Sequence, residues 1–504
     1  MPPVPIEKEK SLPMPPVSAA LGMALAYYGY PFFISVSGGP FIILGIFLFF
    51  VIVVSLLRVF RLGRKDVPVR FHKVGILAVA AAVGFSLGIA SRRTVPGPVE
   101  TGLPAESVIA VSGILREDPR SLQSGSGLGV LKLRECSGSG GLRATARGSL
   151  TVFFPAESIP RLKEFGRGCE IYIDGMFVQS QRGSLFRASS VHVVKAAPAL
   201  DTFRTGLRTA LLEKFQSREG RIVWGGLASA LLLGMRDDLE VDLSAEFRNS
   251  GCAHILALSG MHLAIISGIL AFLISRPLGI RRASLAGAFF ILFYVFIAGS
   301  QPSLVRSAIM YLITTIALWG FLKIKAISLL SMAFILQLIF QTETGISLSF
   351  ILSYLALAGM LTLGTSIRSL FRGRLPEIIN GSLSASLGAF IFTSPVVVFY
   401  FGSLKPIGIL AGLLVAPLSS VFMVFALMAL TASFLPIPLW NLLDFVLTLI
   451  YRLIEFLVSL AGKVPGFSFL NPLPVLIISV LLSFLVLFIR KQDLLYRKSV
   501  GSFD

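Results

Sequence analysis

Long apolar stretches, separated by short polar loops, make up most of the chain. A helix needs about 20 apolar residues to cross a hydrocarbon layer roughly 30 Å thick, and most of these stretches approach that length. The pattern predicts an α-helical polytopic membrane protein with about twelve spans, at residues 17–36, 41–57, 74–90, 254–275, 284–300, 303–321, 327–341, 346–364, 381–402, 407–433, 439–461 and 473–489.

Between residues 105 and 197 the pattern changes to five short β-branched runs separated by Gly, Ser and Pro clusters: SVIAVSGIL, LGVLKLRE, SLTVFF, CEIYIDGMFV and FRASSVHVV. Five strands in about ninety residues are typical of a small closed β-barrel, and an OB-like fold is the natural candidate. The aromatic residues of the runs either fill the barrel interior or form a platform on which bases stack. They are Phe153, Phe154, Tyr172, Phe177 and Phe186.

Two segments connect the barrel to the later spans. Phe203, Leu207, Leu211 and Phe215 recur at helical spacing, which predicts an amphipathic helix on the membrane surface or, alternatively, an ordinary packed linker helix. The apolar piece at 221–235 is too short for an easy crossing, so we interpret it as buried or re-entrant. The predicted domains are therefore a membrane region of three spans at 1–95, the barrel at 96–199, the connecting segment at 200–250 and a membrane core at 251–504.

Composition agrees with residence in a lipid bilayer. Of the 504 residues, 55% are hydrophobic and 14% are charged, whereas soluble proteins have about 25% charged residues. The formal net charge of +19 is compatible with a nucleic-acid ligand, but Lys and Arg also accumulate in cytoplasmic loops. Residues 100–200 contain 12 Lys and Arg against 9 Asp and Glu, so the barrel itself carries only a weak signal for nucleic acid.

Basic loops predict the orientation of the chain. Six Lys and Arg lie between the second and third spans, at Arg58, Arg61, Arg64, Lys65, Arg70 and Lys73. Alternate threading places the basic clusters near 276–282, 323–325, 368–374 and 490–498 on the same side. This side should be cytoplasmic, so both termini are predicted inside and the barrel outside.

Polar residues cluster where the fourth predicted span begins. His254, Ser259 and His262 are expected to face an internal cavity, because an ionisable side chain at membrane depth costs several kcal/mol unless it meets protein or water. Gly260 allows close helix packing. The two histidines lie about 80° and roughly 12 Å apart on a straight helix, so we predict no metal site and no cofactor. Structural hydrogen bonding and the lining of a polar path remain as alternatives.

A second polar group, in AGSQPSLVRSAIM, opens the sixth predicted span. Gln301 and Ser303 lie at its start and Arg306 lies one turn inside, where a guanidinium keeps its charge. Arg306 either extends to lipid phosphate or faces a conduit for an anionic chain.

Two of the three cysteines, Cys136 and Cys169, lie in the predicted barrel. An exported compartment permits a disulfide between them. Two buried thiols are the alternative.

Four passages resemble the ComEC competence proteins, which form the inner-membrane channel for single-stranded DNA in natural transformation. The passages are ALLLG with EFRNSGCAHILALSGMHLAI, AGSQPSLVRSAIM, GISLSFILSYLALAGM and FGSLKPIGILAGLLVAPLSS. The resemblance implies an external OB-like domain, in that family often with an internal disulfide, that hands single-stranded DNA to a polar path through the membrane core. His254, Ser259, Gly260 and His262 match the family's signature, Ser303 and Arg306 match the second passage, and none of them is known as catalytic.

The chain departs from many members of that family, which carry a metallo-β-lactamase-like domain with a His-x-His-x-Asp-His cluster. The histidines here are His72, His192, His254 and His262, and they form no such cluster. The expected function is therefore DNA translocation without enzymatic activity, in the cytoplasmic (inner) membrane of a bacterium. Expected partners are single-stranded DNA, the lipid bilayer, a DNA receptor outside, a separate nuclease and a cytoplasmic ATP-driven helicase or translocase, since no G-x-x-x-x-G-K-[ST] loop is present.

Two other functions remain open at this point. Polar residues within spans fit a transporter or exporter of another solute equally well. An intramembrane enzyme would use the His and Ser residues of 254–262, but no acid partner lies in that segment.

Overall fold

The computed structural model describes residues 15–35, 69–93, 99–122, 124–139, 142–180, 183–216, 222–258, 260–433 and 440–500. The second predicted span, at 41–57, lies outside these residues, as does most of the basic loop that follows it. Within them the chain is mostly helical, with one separate sheet domain between residues 99 and 195.

Two helices, α1 (Pro15–Ser35) and α2 (Val69–Arg93), precede the sheet domain in the chain. The sheet domain consists of eight strands and one short helix: β1 (Glu100–Thr101), β2 (Val108–Leu115), β3 (Arg120–Ser121), β4 (Gly127–Gly138), β5 (Arg143–Arg147), β6 (Ser149–Phe154), α3 (Ile159–Phe165), β7 (Glu170–Ser180) and β8 (Gly183–Lys195). The five β-branched runs of the sequence therefore correspond to its five long strands.

The strand pairings follow a closed circuit. Strand β2 pairs antiparallel with both β4 and β7, β7 pairs antiparallel with β8, β8 pairs parallel with β6, and β6 pairs antiparallel with β4. Alternate residues of these strands point to one common hydrophobic core, which includes Val152, Phe154, Ile171 and Phe186. Phe154 and Phe186 are fully buried, so these two aromatic residues fill the interior.

The predicted disulfide between Cys136 and Cys169 is not formed, because strand β2 separates the two residues. Cys136 lies opposite Val111, whereas the Cys169 carbonyl accepts a hydrogen bond from the Leu115 amide. Four residues along a strand correspond to roughly 13 Å, and a disulfide needs its Cα atoms within about 7 Å. Both thiols are buried and free, which is the alternative considered from the sequence.

The connecting segment forms helices α4 (Ala199–Gln216) and α5 (Gly225–Leu233). Helix α4 buries one side, on which Arg204 is only 2% exposed and Arg208 is also buried, whereas Phe203, Thr209 and Glu213 are exposed. Whether it lies on the membrane surface stays a prediction. Its apolar side chains, including Phe215, contact the main hydrophobic core. Helix α5 belongs to the same core and is buried along almost its whole length.

Eleven further helices follow in the described part of the chain. Their bounds are α6 (Val241–Asn249), α7 (Ala253–Leu256), α8 (Gly260–Ala298), α9 (Pro302–Trp319), α10 (Ala326–Phe340), α11 (Leu348–Gly359), α12 (Thr365–Leu370), α13 (Glu377–Phe401), α14 (Ile407–Ala432), α15 (Trp440–Gly462) and α16 (Leu473–Val500). A π-helical turn at Met360–Gly364 joins α11 and α12 into one long helix. A two-residue pairing between β9 (Ser403–Leu404) and β10 (Phe467–Ser468) joins two of the loops.

Seven helical segments of the described chain are long and apolar enough to cross a membrane: 279–298, 302–319, 348–370, 377–401, 407–432, 440–462 and 473–490. Each corresponds to one of the predicted spans. Shorter apolar helices at 79–92, 260–272 and 326–340 correspond to three more, and α1 covers the first. The full count of twelve remains a prediction.

Helix α1 packs against α10 and α11 and closes one side of the polar group described below. Met23 and Tyr27 of α1 share a hydrophobic cluster with Leu338, Phe350 and Tyr354. In addition, the Tyr28 hydroxyl donates a hydrogen bond of 2.9 Å to the Gly345 carbonyl. The N-terminal helix thus supports the buried face on which Tyr354 lies.

Candidate functional site

Three of the predicted site residues meet where α8 and α9 begin. The Ser303 hydroxyl donates a hydrogen bond of 2.5 Å to the Leu258 carbonyl and so fixes the start of α9 to the loop before α8. At Gly260, a Cβ atom would lie 2.5 Å from Ser307 Oγ and 3.3 Å from Arg306 Nη2. Only glycine lets these two helices approach so closely.

Arg306 is the charged group of this arrangement, and it is 8% exposed. Its Nη1 donates a hydrogen bond to the Ser353 carbonyl, and its guanidinium carbon lies 5.8 Å from the centroid of the Tyr354 ring. Its Nε is buried with no hydrogen-bond partner in the structure. Among the described residues, no carboxylate forms an ion pair with Arg306.

Tyr354 and Gln337, neither of them predicted as site residues, link α11 to the start of α9. The Tyr354 hydroxyl donates to Gln337 Oε1 at 2.9 Å, and Gln337 Nε2 donates to the Pro302 carbonyl at 3.0 Å. Gln337 is fully buried. The one amide side chain of this mainly apolar helix was the available signal, since a buried amide is retained only where its hydrogen bonds are made.

The remaining predicted residues are distributed around this group. His262 is fully buried on α8, whereas the His254 side chain is exposed on α7 with its Nδ1 3.3 Å from the Gly251 carbonyl. Gln301 lies against the end of α5, because a Cβ on Gly234 would be 3.1 Å from its Nε2. Ser259 is not among the described residues. In the described part of the chain, no three His, Cys, Asp or Glu side chains are grouped to hold a metal ion.

A second buried polar group joins the sheet domain to α4. Asp118 accepts hydrogen bonds from Arg204 Nη1 at 3.0 Å, from Arg208 Nη1 at 2.6 Å and from the Arg167 amide at 3.0 Å. Arg204 also donates through Nε to the Phe296 carbonyl at 2.7 Å. Arg204 on the connecting helix therefore links Asp118 of the sheet domain to Phe296 of the helical bundle.

The pKa values of this group reflect both burial and charge. Burial alone would raise the pKa of Asp118, but Arg204 and Arg208 outweigh it and hold that pKa below its ordinary value. Burial lowers the pKa of Arg208 to about 10, against the opposing effect of Asp118. Asp118 therefore favours the charged forms of both arginines, and the arginines favour the charged form of Asp118.

Two other ion pairs attach the sheet domain at the same end of the helical bundle. Arg116 pairs with Glu343 in the loop after α10, and Lys163 pairs with Asp237 at 2.7 Å in the loop after α5. Phe296, which accepts from Arg204, lies near the end of α8, a few residues before Gln301. The sheet domain is thus attached beside the end at which the polar group around Ser303 and Arg306 begins.

The described chain combines a bundle of apolar helices, an arginine buried in it and a sheet domain attached at one end. This combination is typical of a multi-span membrane protein. The profile of the Competence protein family matches residues 231–492, which is just over half of the chain. The chain therefore belongs to the Competence protein family, and its resemblance to the ComEC proteins is confirmed. The sheet domain lies before the matched region.

Two relatives illustrate the similarity. The chain is 29% identical over 201 residues to "ComE operon protein 3" of Bacillus subtilis (strain 168), a match that covers 38% of this chain and 24% of that protein. It is 25% identical over 263 residues to an "Uncharacterized protein" of Aquifex aeolicus (strain VF5), covering 52% of this chain and 61% of that protein. The matches thus span less than two thirds of either relative. No solved structure matches the chain.

Proposed function

We propose that this chain provides the path by which single-stranded DNA crosses the cytoplasmic membrane during natural transformation, and that Arg306 contacts its phosphates. The observation that carries the proposal is the burial of Arg306 in the membrane core without an acidic partner among the described residues. An arginine keeps its charge when buried, and an uncompensated charge at membrane depth is costly. A passing phosphate would supply the missing negative charge in bidentate geometry.

The neighbouring residues have supporting roles in this proposal. Gly260 leaves room beside the guanidinium, and Ser303 fixes the start of α9. Gln301, His254, Ser259 and His262 would offer hydrogen bonds along the same path. Tyr354 and Gln337 hold the face against which Arg306 lies.

The sheet domain is proposed to be an OB-like β-barrel on the outer side of the membrane that delivers the strand. The closed circuit of pairings and the parallel contact between β6 and β8 support a barrel of this kind. Its location is supported by its contacts, since Asp237, Phe296 and Glu343 all belong to segments that the charge bias predicts on the outer side.

The proposed path supplies neither energy nor strand cleavage of its own. We propose that a DNA receptor outside, a separate nuclease and a cytoplasmic ATP-driven helicase or translocase act with it in the inner membrane of a bacterium. Both termini are proposed to be cytoplasmic, as the basic loops predict.

The proposal is tested by uptake of labelled DNA in a deletion strain complemented with this chain. Arg306→Leu should reduce uptake by at least tenfold at an unchanged amount of protein in the membrane, because it removes the only charge of the group. Replacing both His254 and His262 by Leu should reduce uptake as well. Arg372→Gln, which removes an exposed loop charge, is the matched control and should take up DNA normally. Normal uptake by Arg306→Leu would refute the assignment.

A transporter or exporter of another anionic solute is the second candidate, because a buried arginine without an acid partner suits a small anion equally well. Flux of small anions into vesicles that contain the protein separates the two functions. Arg306-dependent anion flux without DNA uptake would favour this candidate.

A further inference from the structure

The end of the helical bundle opposite the sheet domain carries cations on two neighbouring segments. They are Arg281, Arg282, Lys323 and Lys325, which together with Phe321 we call the headgroup cluster. Arg281 lies 15 residues before Phe296 on a continuous helix, which corresponds to roughly 22 Å, so this cluster and the sheet domain are on opposite sides of the bundle. The basic loops predict that this side is cytoplasmic.

Local backbone geometry brings the cluster together. Helix α8 is interrupted at Gly279, where φ is 76° and ψ is 160°. The interruption places Arg281 and Arg282 in the first turn of the second half of α8. The Arg281 guanidinium carbon then lies 3.9 Å from the centroid of the Phe321 ring, in the turn between α9 and α10.

Phe321 is in an unusual conformation. It is the one non-glycine residue at positive φ in the part of the chain that the structure describes, with φ at 54°. The Leu322 amide donates to the Ala317 carbonyl at 2.8 Å, so Phe321 takes the left-handed position that ends α9, a position usually held by glycine. A side chain in this conformation is strained, and Gly320 directly before it does not take the position. In this conformation the Phe321 ring is 78% exposed and lies against the Arg281 guanidinium.

The charges of the cluster have no local compensation. The sequence contains no Asp or Glu from residue 247 to residue 342. None of the four cations forms an ion pair with another residue that the structure describes. Two arginines in the first turn of a helix also meet the positive end of its dipole, so they do not stabilise the helix.

Exposed apolar side chains continue from the cluster toward the middle of the bundle. Leu285, Phe289 and Ile316 lie one to two turns away from it and are 50%, 76% and 70% exposed. A ligand with a phosphate at one end and hydrocarbon at the other would therefore meet cations and an aromatic ring first, and apolar side chains below them.

We propose that the headgroup cluster is a binding site for an anionic phospholipid of the leaflet on this side. The phosphate lies among Arg281, Arg282 and Lys323, the Phe321 ring holds the Arg281 guanidinium toward it, and the acyl chains cover Leu285 and Ile316. This site does not depend on DNA translocation, and neither proposal fails with the other.

The test uses the full chain in detergent, with phosphatidylglycerol and phosphatidylcholine of identical acyl chains as probes. Phosphatidylglycerol should raise the melting temperature more than phosphatidylcholine. Arg281→Gln with Arg282→Gln should weaken its apparent affinity roughly thirtyfold, at about tenfold per 1.4 kcal/mol and about 1 kcal/mol for each charge near the headgroups. Arg281→Lys with Arg282→Lys, which keeps both charges, should lose much less.

The matched control is Arg372→Gln with Arg374→Gln, which removes two exposed charges from another predicted cytoplasmic loop and should change the affinity less than twofold. Equal effects of the two lipids, or equal losses in the two Gln double variants, would overturn the site. The same stabilisation by inorganic phosphate alone, or by an oligo-dT strand, would overturn it in favour of a free anion or nucleic acid. Phe321→Gly should raise the melting temperature without lipid and weaken phosphatidylglycerol binding; unchanged binding would exclude the ring from the site.

Discussion

The position of the Arg306 guanidinium depends on a residue that has no side chain. Gly260 is the first residue of α8, and a Cβ atom there would lie 2.5 Å from Ser307 Oγ and 3.3 Å from Arg306 Nη2. The space that glycine leaves is filled by the guanidinium and the serine hydroxyl. Glycine at position 260 is therefore required both for the close packing of α8 against α9 and for the position of the buried charge.

This requirement predicts opposite effects for two glycines of one helix. Gly260→Ala should lower the melting temperature and displace Arg306, because the new methyl group overlaps Ser307. Gly268→Ala has open space around its Cβ and should be neutral or stabilising by up to about 1 kcal/mol, as expected for alanine in a helix. Thermal unfolding of both variants in detergent is the measurement, and equal melting temperatures would contradict the close approach at Gly260.

Among the helices, α4 shows what a pattern of residues leaves open. Its arginines fall on one face and its apolar residues on another, which predicts a helix at a water boundary. The pattern does not show that Arg204 and Arg208 are buried, which is possible because Asp118, more than 80 residues earlier in the chain, supplies the opposite charge. Periodicity predicts where a helix lies, but a partner from a distant segment decides which face is buried.

The contact of α4 with the sheet domain should depend on pH through Asp118. Its pKa is lower in the folded protein than its ordinary 3.8, so the stabilisation is complete above that value and is lost as the pH falls through the folded-state pKa. Asp118→Asn should cost about 3 kcal/mol near neutral pH, because it leaves two buried arginines without their carboxylate.

Melting temperatures measured from pH 6 to pH 3 test this. The wild-type protein should lose stability over the lowest part of this range, and Asp118→Asn should lose less. Glu117→Gln, in an exposed pair with Arg120, is the control and should stay within about 0.5 kcal/mol of the wild type. Parallel curves for the wild type and Asp118→Asn would contradict the role of this carboxylate.

At the scale of the whole molecule, the sequence predicts the order of the parts better than their contacts. Runs of apolar residues identify seven spans closely, and β-branched runs identify the five long strands, because both are local patterns. The polar group around Arg306 is recovered only in part: Gln337 and Tyr354 join it from other helices, and no local pattern brings them to Pro302. The family resemblance includes Tyr354 in a passage but does not indicate its contact.

The proposed location of the sheet domain outside the cytoplasm can be tested with cysteine labelling. The native thiols Cys136, Cys169 and Cys252 are all buried, and burial raises the pKa of Cys169 to about 11, so their background reaction should be low. A cysteine at the exposed Ser189 of β8 should react with a membrane-impermeant maleimide in intact spheroplasts.

A cysteine in place of the exposed Arg372, in a predicted cytoplasmic loop, is the control and should react only after the membrane is opened. Labelling of Arg372→Cys but not of Ser189→Cys in intact spheroplasts would reverse the proposed orientation of the whole chain.

The two separated thiols of the sheet domain have a consequence for where such a protein can be assembled. A domain whose strands are joined by a covalent bridge depends on an oxidising partner to reach its final state. Here, strand β2 keeps Cys136 and Cys169 apart, and the closed circuit of strands is completed by hydrogen bonds and apolar burial alone. We therefore expect the domain to fold equally well in a reducing and in an oxidising compartment.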